Sequence, residues 1–308
     1  MMKKLFAILL VVLMVVSLAA CGGSSGGGYT GGGYTPNNNT PSIQRNEENT
    51  YEAYNGGYKL VSCGTKYKSE STIAIPDQYE GLDVVAIGNS AFSGFSNLES
   101  VEFPGTLTEI DKRAFENCSS LNNVVIPDSV TVIRGAAFMN CTSLTSISFG
   151  SSITDIEGEC FKGCTALSDF SVPATVTEIR GNCFEGCTAL KNISLHNDII
   201  AIHGYAFKDC TALETIVLPS GIDEIRGNTF ENCRSLKSIS IPEGVTRIAA
   251  HSFYGCSSLE NVSVPSSVTE IGSSAFRKCD SLKNIEIPKG ASVDERAFKD
   301  SPTEIKYK

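Results

Sequence analysis

The chain has 308 residues, with 34 acidic against 25 basic side chains, a formal net charge of −9, 8% aromatics and no tryptophan. Without residues 1–20, which carry two lysines, the charge becomes −11, and no long basic run offsets it. That balance argues against nucleic acid or anionic lipid as a partner, and the missing tryptophan excludes a carbohydrate platform of indole rings.

Lys3 and Lys4 precede an apolar run from Leu5 to Val16, and Leu18-Ala19-Ala20-Cys21 follows. A charged start, a short apolar stretch and a small-residue cleavage site mark residues 1–20 as a secretory signal peptide. The run is too short to be a good membrane span. Leu-Ala-Ala-Cys-Gly closely resembles a bacterial lipobox, which implies cleavage before Cys21 and a diacylglycerol on its thiol. The expected location is therefore the outer face of the cell membrane, touched through this lipid anchor only.

Residues 21–50 join that anchor to the body. Gly, Ser, Asn, Thr and Pro dominate, and Gly-Gly-Gly-Tyr-Thr is written twice, at Gly26 to Thr30 and Gly31 to Thr35. Such a composition forms no core and is expected to be a flexible tether, with a root-mean-square reach of about 30 Å. Residues 51–81 read as an N-terminal cap of one or two strands containing the isolated Cys63.

From there the chain counts by 23. Phe92, Phe115, Phe138, Phe161, Phe184, Phe207, Phe230, Phe253 and Phe276 keep one unbroken period, and Phe298 follows one residue early. Eight cysteines from Cys118 to Cys279 and nine leucines from Leu98 to Leu282 keep the same beat. Residues 82–298 are thus expected to form a repeat solenoid of about ten coils. Within a coil such as Leu236 to Cys256, Ile239-Ser-Ile241 alternates as a short half-buried strand and Pro242 ends it. Val245-Thr-Arg-Ile248 makes a second alternation. A compact turn then carries Phe253, and Gly, Asn or Asp is usual two residues later, residue types that tolerate a left-handed backbone. A one-turn helix or 3₁₀ segment is expected to end there. Residues 299–308 supply a charged last strand, a usual block to edge-to-edge pairing.

The pattern Leu-x-x-Ile-x-Ile-Pro-x-x-Val-x-x-Ile-x-x-x-x-Phe-x-x-Cys resembles the BspA-like leucine-rich repeat of bacterial surface proteins, from about Tyr51 onward. The resemblance implies a β-rich, right-handed leucine-rich repeat coil and recognition or adhesion at the cell surface.

Twelve cysteines in an exported protein suggest disulfides. Eight, however, stand in one column whose coils lie about 4.8 Å apart, which is marginal for a disulfide. Buried thiols acting as small apolar side chains are expected instead. Cys160 and Cys183 form a second column at a site that is Ala in most other coils, and whether they are bridged stays open. A single column does not make a tetrahedral metal site, so neither metal nor cofactor is expected.

Catalysis needs convergent, unlike polar groups in a pocket. The three histidines, His196, His203 and His251, stand in different coils, and no recognised catalytic or phosphate-binding motif occurs. A non-catalytic, monomeric protein is expected. Two surfaces are candidates for binding. Asn123, Asp169, Asn192, Asn261 and Asn284 lie on the strand face expected to be concave, a polar surface rich in hydroxyls. Arg134, Glu157, Arg180, His203 and Arg226 form a charged column, either an ion-pair ladder or a strip for anionic ligands. Departures from the repeat gather in the middle coils, at Gly150, Cys160, Cys183, His196, Ile200, His203 and Tyr205, and a specific site is first sought there. The expected partner is a host, matrix or cell-surface protein. A glycan ligand and a purely structural spacer are the alternatives.

Overall fold

The computed structural model describes residues 43–45 as backbone and residues 49–308 in full. The expected signal peptide, Cys21 and most of the expected tether lie outside the described residues. Ile43–Arg45 nonetheless pairs antiparallel with Thr50–Tyr54, so the sheet starts inside the stretch read as tether. Thr50–Tyr54 pairs antiparallel with Gly57–Ser62, which runs parallel to Leu82–Ile87 and so hands the sheet over to the array. Thr72–Ala74 already pairs with Ser100–Glu102, which places the first coil partly within the expected cap.

The array is a β-solenoid of about eleven turns with a 23-residue spacing. Two parallel strand ladders run along it. The first begins with Thr72–Ala74 against Ser100–Glu102, passes through Asn123–Val125 and Ser146–Ser148, and ends with Asn284–Ile287 against Glu304–Tyr307. The second contains Glu109–Ile110, Val132–Ile133 and Asp155–Ile156 and ends at Ser292–Val293. Partners stand 23 residues apart, as in Asn123 with Ser146 and Arg247 with Glu270, so each side chain stacks on its counterpart. Alternation then sends one set inward and leaves the other in water.

A third ladder runs through the turns. Phe92 N–H donates to Ala114 at 2.8 Å, Phe115 to Ala137 at 2.8 Å and Phe161 to Cys183 at 2.9 Å. The one-turn helix or 3₁₀ segment expected around each Phe is a succession of isolated turns with the i→i−3 bonds of the second kind, such as Phe95 N–H to Phe92 and Leu98 N–H to Phe95. Among the described residues the one helical segment is the 3₁₀ turn Thr65–Ser69 in the cap. Every second N–H of this segment, as at Ser90, Phe92 and Gly94, is taken by the neighbouring coil, which leaves no run of bonds for an α-helix.

The core is a stack of rings. Phe92 through Phe276 are buried, and successive rings lie 4.9–5.9 Å apart, from 4.9 Å at Phe92–Phe115 to 5.9 Å at Phe138–Phe161, within 16° of parallel. Beside them the thiols make a regular contact. Cys118 donates to the Phe92 carbonyl at 3.1 Å, Cys141 to Phe115 at 3.2 Å, and so on to Cys279 with Phe253 at 3.3 Å. The ten cysteines of the array are free thiols and buried, Cys160 and Cys183 included. In the last coil Ser301 takes over, its hydroxyl donating to the Phe276 carbonyl at 2.7 Å. A small group that packs and donates one bond is what the column requires.

Each coil from Phe92 to Phe276 holds two left-handed residues. The second is the position legible in sequence, occupied by Gly94, Asn117, Asn140, Gly163 and their successors. The first was not legible, because Arg113, Ala136, Glu159, Tyr205 and His251 occupy it with φ of 54–62°. A residue with a Cβ is strained there by about 1–2 kcal/mol. Glu159→Gly is therefore expected to stabilise the fold by roughly 0.5–1 kcal/mol, after glycine's own entropic penalty. The check is the shift of its urea midpoint against the parent.

The first ladder is not continuous. Ile126, Val172 and Ile241 donate to Ser148, Ser194 and Ser263 in the next coil at 2.9–3.1 Å, whereas Phe103, Phe149, Leu195 and Leu218 at the same position make no such bond. The residues that bond there are β-branched and those that do not are Phe or Leu, Val264 excepted. At two junctions, Ser146–Ile156 to Asp169–Ile179 and Asn192–Ile202 to the coil after it, no backbone bond closes either strand ladder among the described residues. There the turn ladder alone supplies backbone bonds, through pairs such as Glu159–Gly181 and Tyr205–Gly227.

Candidate functional site

The strand face presents the expected residues to solvent: Asn123, Asp169, Asn192, Asn261 and Asn284 are all exposed. Their inward neighbours Val124, Phe170, Ile193 and Ile285 are buried, so the alternation of the strands fixes which way each polar group points. Three of the five are committed to one another's coils. Asn123 Oδ1 accepts from the Ser146 hydroxyl at 2.5 Å, and Asn192 Nδ2 donates to Asp169 Oδ1 at 2.7 Å. The Ser168 hydroxyl and the Asn192 amide, both donating to Asp169, hold its carboxyl below the usual range. Asn261 and Asn284, stacked in adjacent coils, make no side-chain hydrogen bond among the described residues. Shallow polar depressions lie on both sides of this pair, one reaching Glu260 and Lys283, the other Ser263 and Lys306. Two large apolar side chains also point outward on this face, Val125 at 69% and Val217 at 82% exposure.

The charged column does not pair with itself throughout. Arg134 Nη1 does donate to Glu157 at 3.0 Å, but its Nε goes to Glu109 at 2.7 Å. Arg180 pairs with Glu178 at 2.8 Å and Asp155 at 3.5 Å, and His203 Nε2 contacts Glu178 at 2.8 Å. The partners missed in the sequence reading form an adjacent column two residues earlier. Its signal was present, since Glu178-Ile-Arg180 and Glu224-Ile-Arg226 place an acid one outward step before each arginine. The His203 contact, then Arg180 and Arg226, hold the Glu178 carboxyl below the usual range despite partial desolvation. Arg226 itself makes no ion pair among the described residues, so it is the cation of the column whose charge is least committed.

At the cap end this network also locks the array. Glu109 is buried, accepts from the Tyr54 hydroxyl at 2.7 Å as well as from Arg134, and raises the Tyr54 pKa through that bond. Lys59 Nζ lies 3.8 Å from the Tyr54 ring centre and 3.4 Å from Asp111.

Among the described residues no group of His, Cys, Asp and Glu is arranged to hold a metal ion. Nor do His196, His203 and His251 converge: His196 Nε2 faces the Pro173 carbonyl at 3.0 Å, His203 faces Glu178, and His251 packs beside Tyr254. The arrangement can present a stacked polar surface to a partner.

A solenoid of 23-residue coils with two parallel ladders and an aromatic spine defines a leucine-rich repeat protein. The chain belongs to the BspA type leucine rich repeat family, whose model matches residues 66–191 and 177–304 in six copies. It is similar to a leucine rich cell surface protein from Faecalibacterium prausnitzii, at 25% identity over 85% of this chain and 86% of that one, with a TM-score of 0.55. A leucine-rich repeat protein from Bacteroides ovatus shares its fold at 24% identity, over 85% and 90% of the two chains and a TM-score of 0.54. So does the pneumococcal vaccine antigen PcpA, at 19% identity, 82% and 77% coverage and a TM-score of 0.59. No curated relative matches the chain.

Proposed function

We propose that this is a non-catalytic recognition protein, held at the outer face of the cell membrane by a lipid on Cys21 and binding a host, matrix or cell-surface protein through its repeat array. The observation that carries the reading is the strand face, where exposed side chains recur at the 23-residue spacing and Val125 and Val217 stand clear of the polar field. Burying such apolar groups under a partner contributes where a purely polar face would not. Many tethered copies acting together raise the avidity of individually weak contacts. The expected monomer and the membrane contact through the anchor alone belong to the same reading.

Multivalent beads carrying residues 49–308, offered matrix proteins and glycans at low and high salt, test it. Capture of a protein is expected, weakened about fivefold or more by Val217→Glu. Salt sensitivity together with loss in Arg226→Ala would bring the charged column into the contact, since that guanidinium has no partner to give up. Silence across proteins and glycans from a folded sample sinks the recognition reading and leaves a spacer. A second reading, glycan binding, is favoured by the unengaged amides of Asn261 and Asn284. It predicts salt-insensitive glycan capture that is lost when both are changed to Ala.

A further inference from the structure

The repeat departs from its pattern at Gly150, which stands where Pro104, Pro127, Pro173, Pro219, Pro242, Pro265 and Pro288 end the strand in other coils. Glycine does two things there that proline cannot. Its N–H donates to the Ile126 carbonyl at 3.0 Å in the preceding coil. Its missing Cβ lets the chain press against that coil, since a Cβ would lie 2.3 Å from Asp128 Cα and 2.6 Å from the Pro127 carbonyl oxygen. The strand end is thus drawn toward the preceding coil and away from the following one.

On the far side a cleft opens. It holds about 490 Å³ and lies between Ile147–Ser151 and Ser171–Thr175. Its walls are mainly apolar, from Ile147, Phe149, Val172 and Pro173. Ile147 and Phe149 are only half-buried, whereas Val124 and Ile126, their counterparts one coil earlier, are buried. The ring of Phe149 meets Phe170 edge-on at 5.6 Å and gives the cleft a fixed floor. Between these coils neither strand ladder closes, so the Phe149 N–H and the Ser171 carbonyl, which bond in the pattern Ile126 to Ser148, have no backbone partner among the described residues.

We infer that this cleft is the anchor pocket of the strand face, taking one large apolar side chain of a peptide segment whose backbone bonds to the Phe149 N–H or the Ser171 carbonyl. This rests on the reading of the array as a protein-recognition surface and supplies the desolvated pocket that the rest of the face lacks. The occupant follows from the lining. The apolar walls take a side chain, and the Phe149 N–H and Ser171 carbonyl, without a backbone partner among the described residues, offer a donor and an acceptor to the peptide backbone that carries it.

The test pans a phage-displayed library of random heptapeptides against the full chain and measures the enriched peptides, fluorescently labelled, by anisotropy. Enriched sequences are expected to share a single large apolar residue, and its change to Ala should weaken binding about tenfold or more. Gly150→Pro restores the common residue and pushes the coil back across the gap, so it should lower affinity by a similar factor. Ala174→Arg, an exposed position at the rim, should do the same without touching the core, which guards against a Gly150→Pro variant that fails to fold. Enriched peptides that bind Gly150→Pro and Ala174→Arg as well as the parent overturn the inference, as does a library without enrichment. Failure of the cleft alone is distinguishable, because beads would then still capture their protein partner undiminished in Ala174→Arg. Loss of all capture from the parent protein would instead sink the recognition reading beneath it.

Discussion

Raising the pH from 8 to 9.5 is expected to unfold the array. Burial pushes ten thiols up, with Cys118, Cys164, Cys183 and Cys279 reaching about 12 and Cys141, Cys160, Cys187, Cys210, Cys233 and Cys256 also raised. The folded chain therefore keeps protons that the unfolded chain releases from about pH 8.5 upward. The stability these thiols contribute is complete below that pH and is lost as pH rises toward the folded values. One unit above the unfolded pKa each thiol costs about 1.4 kcal/mol, so ten together cost about 14 kcal/mol. Whole domains hold only about 5–15 kcal/mol. Urea midpoints measured from pH 7 to 10 should fall steeply beyond pH 8.5, and replacing four column cysteines by Ser should flatten the slope by about two-fifths, whatever it does to the midpoint at pH 7. A midpoint that stays level to pH 10 would show that the thiols are not sealed from water.

The second large effect is expected from Phe184→Ala. Phe184 is buried, lies 5.7 Å from Phe161 and 5.6 Å from Phe207, and meets Phe170 edge-on at 4.7 Å. Truncation removes a large buried side chain and leaves a cavity, a loss of about 3–5 kcal/mol, and it severs three ring contacts worth about 0.5–1.5 kcal/mol each, part of that same total. Position matters as much as size. Each coil touches only its neighbours, so a central defect uncouples the halves while a terminal one frays an end. Phe298→Ala, at the half-buried last ring, should cost less than about half as much. The central variant should also melt in two steps where the parent melts in one. A single sharp transition for Phe184→Ala, at the parent's midpoint, would refute the spine as the cooperative element.

How far the sequence could be read follows from what each residue answers to. Phe92 to Phe276 and Cys118 to Cys279 answer to one environment repeated at every coil, so their period exposed the solenoid and its core. The outward Asn and Ser positions followed by alternation. Other features depend on neighbours 23 residues away or on backbone angles that residue type conceals. Nothing about Arg113, Tyr205 or His251 advertises a positive φ, because local propensity there is overridden by three hydrogen-bonded ladders. Arg180 was assigned to its own column, yet a long side chain reaches Glu178 and Asp155 beside it as easily. Gly150 was visible as a departure, but what it does became clear only from the space on either side of it.

The two junctions closed on the turn side alone have a mechanical meaning. Where all three ladders run through, bending parts many bonds at once; at these two places the strand faces can separate while the turns act as the hinge. The molecule is then a rod of three stiff blocks with two joints opening in the same sense. Pulled from a surface, such a rod would yield first at the joints, and one of them is the mouth of the Gly150 cleft. Tension along the array would thereby change the width of that opening.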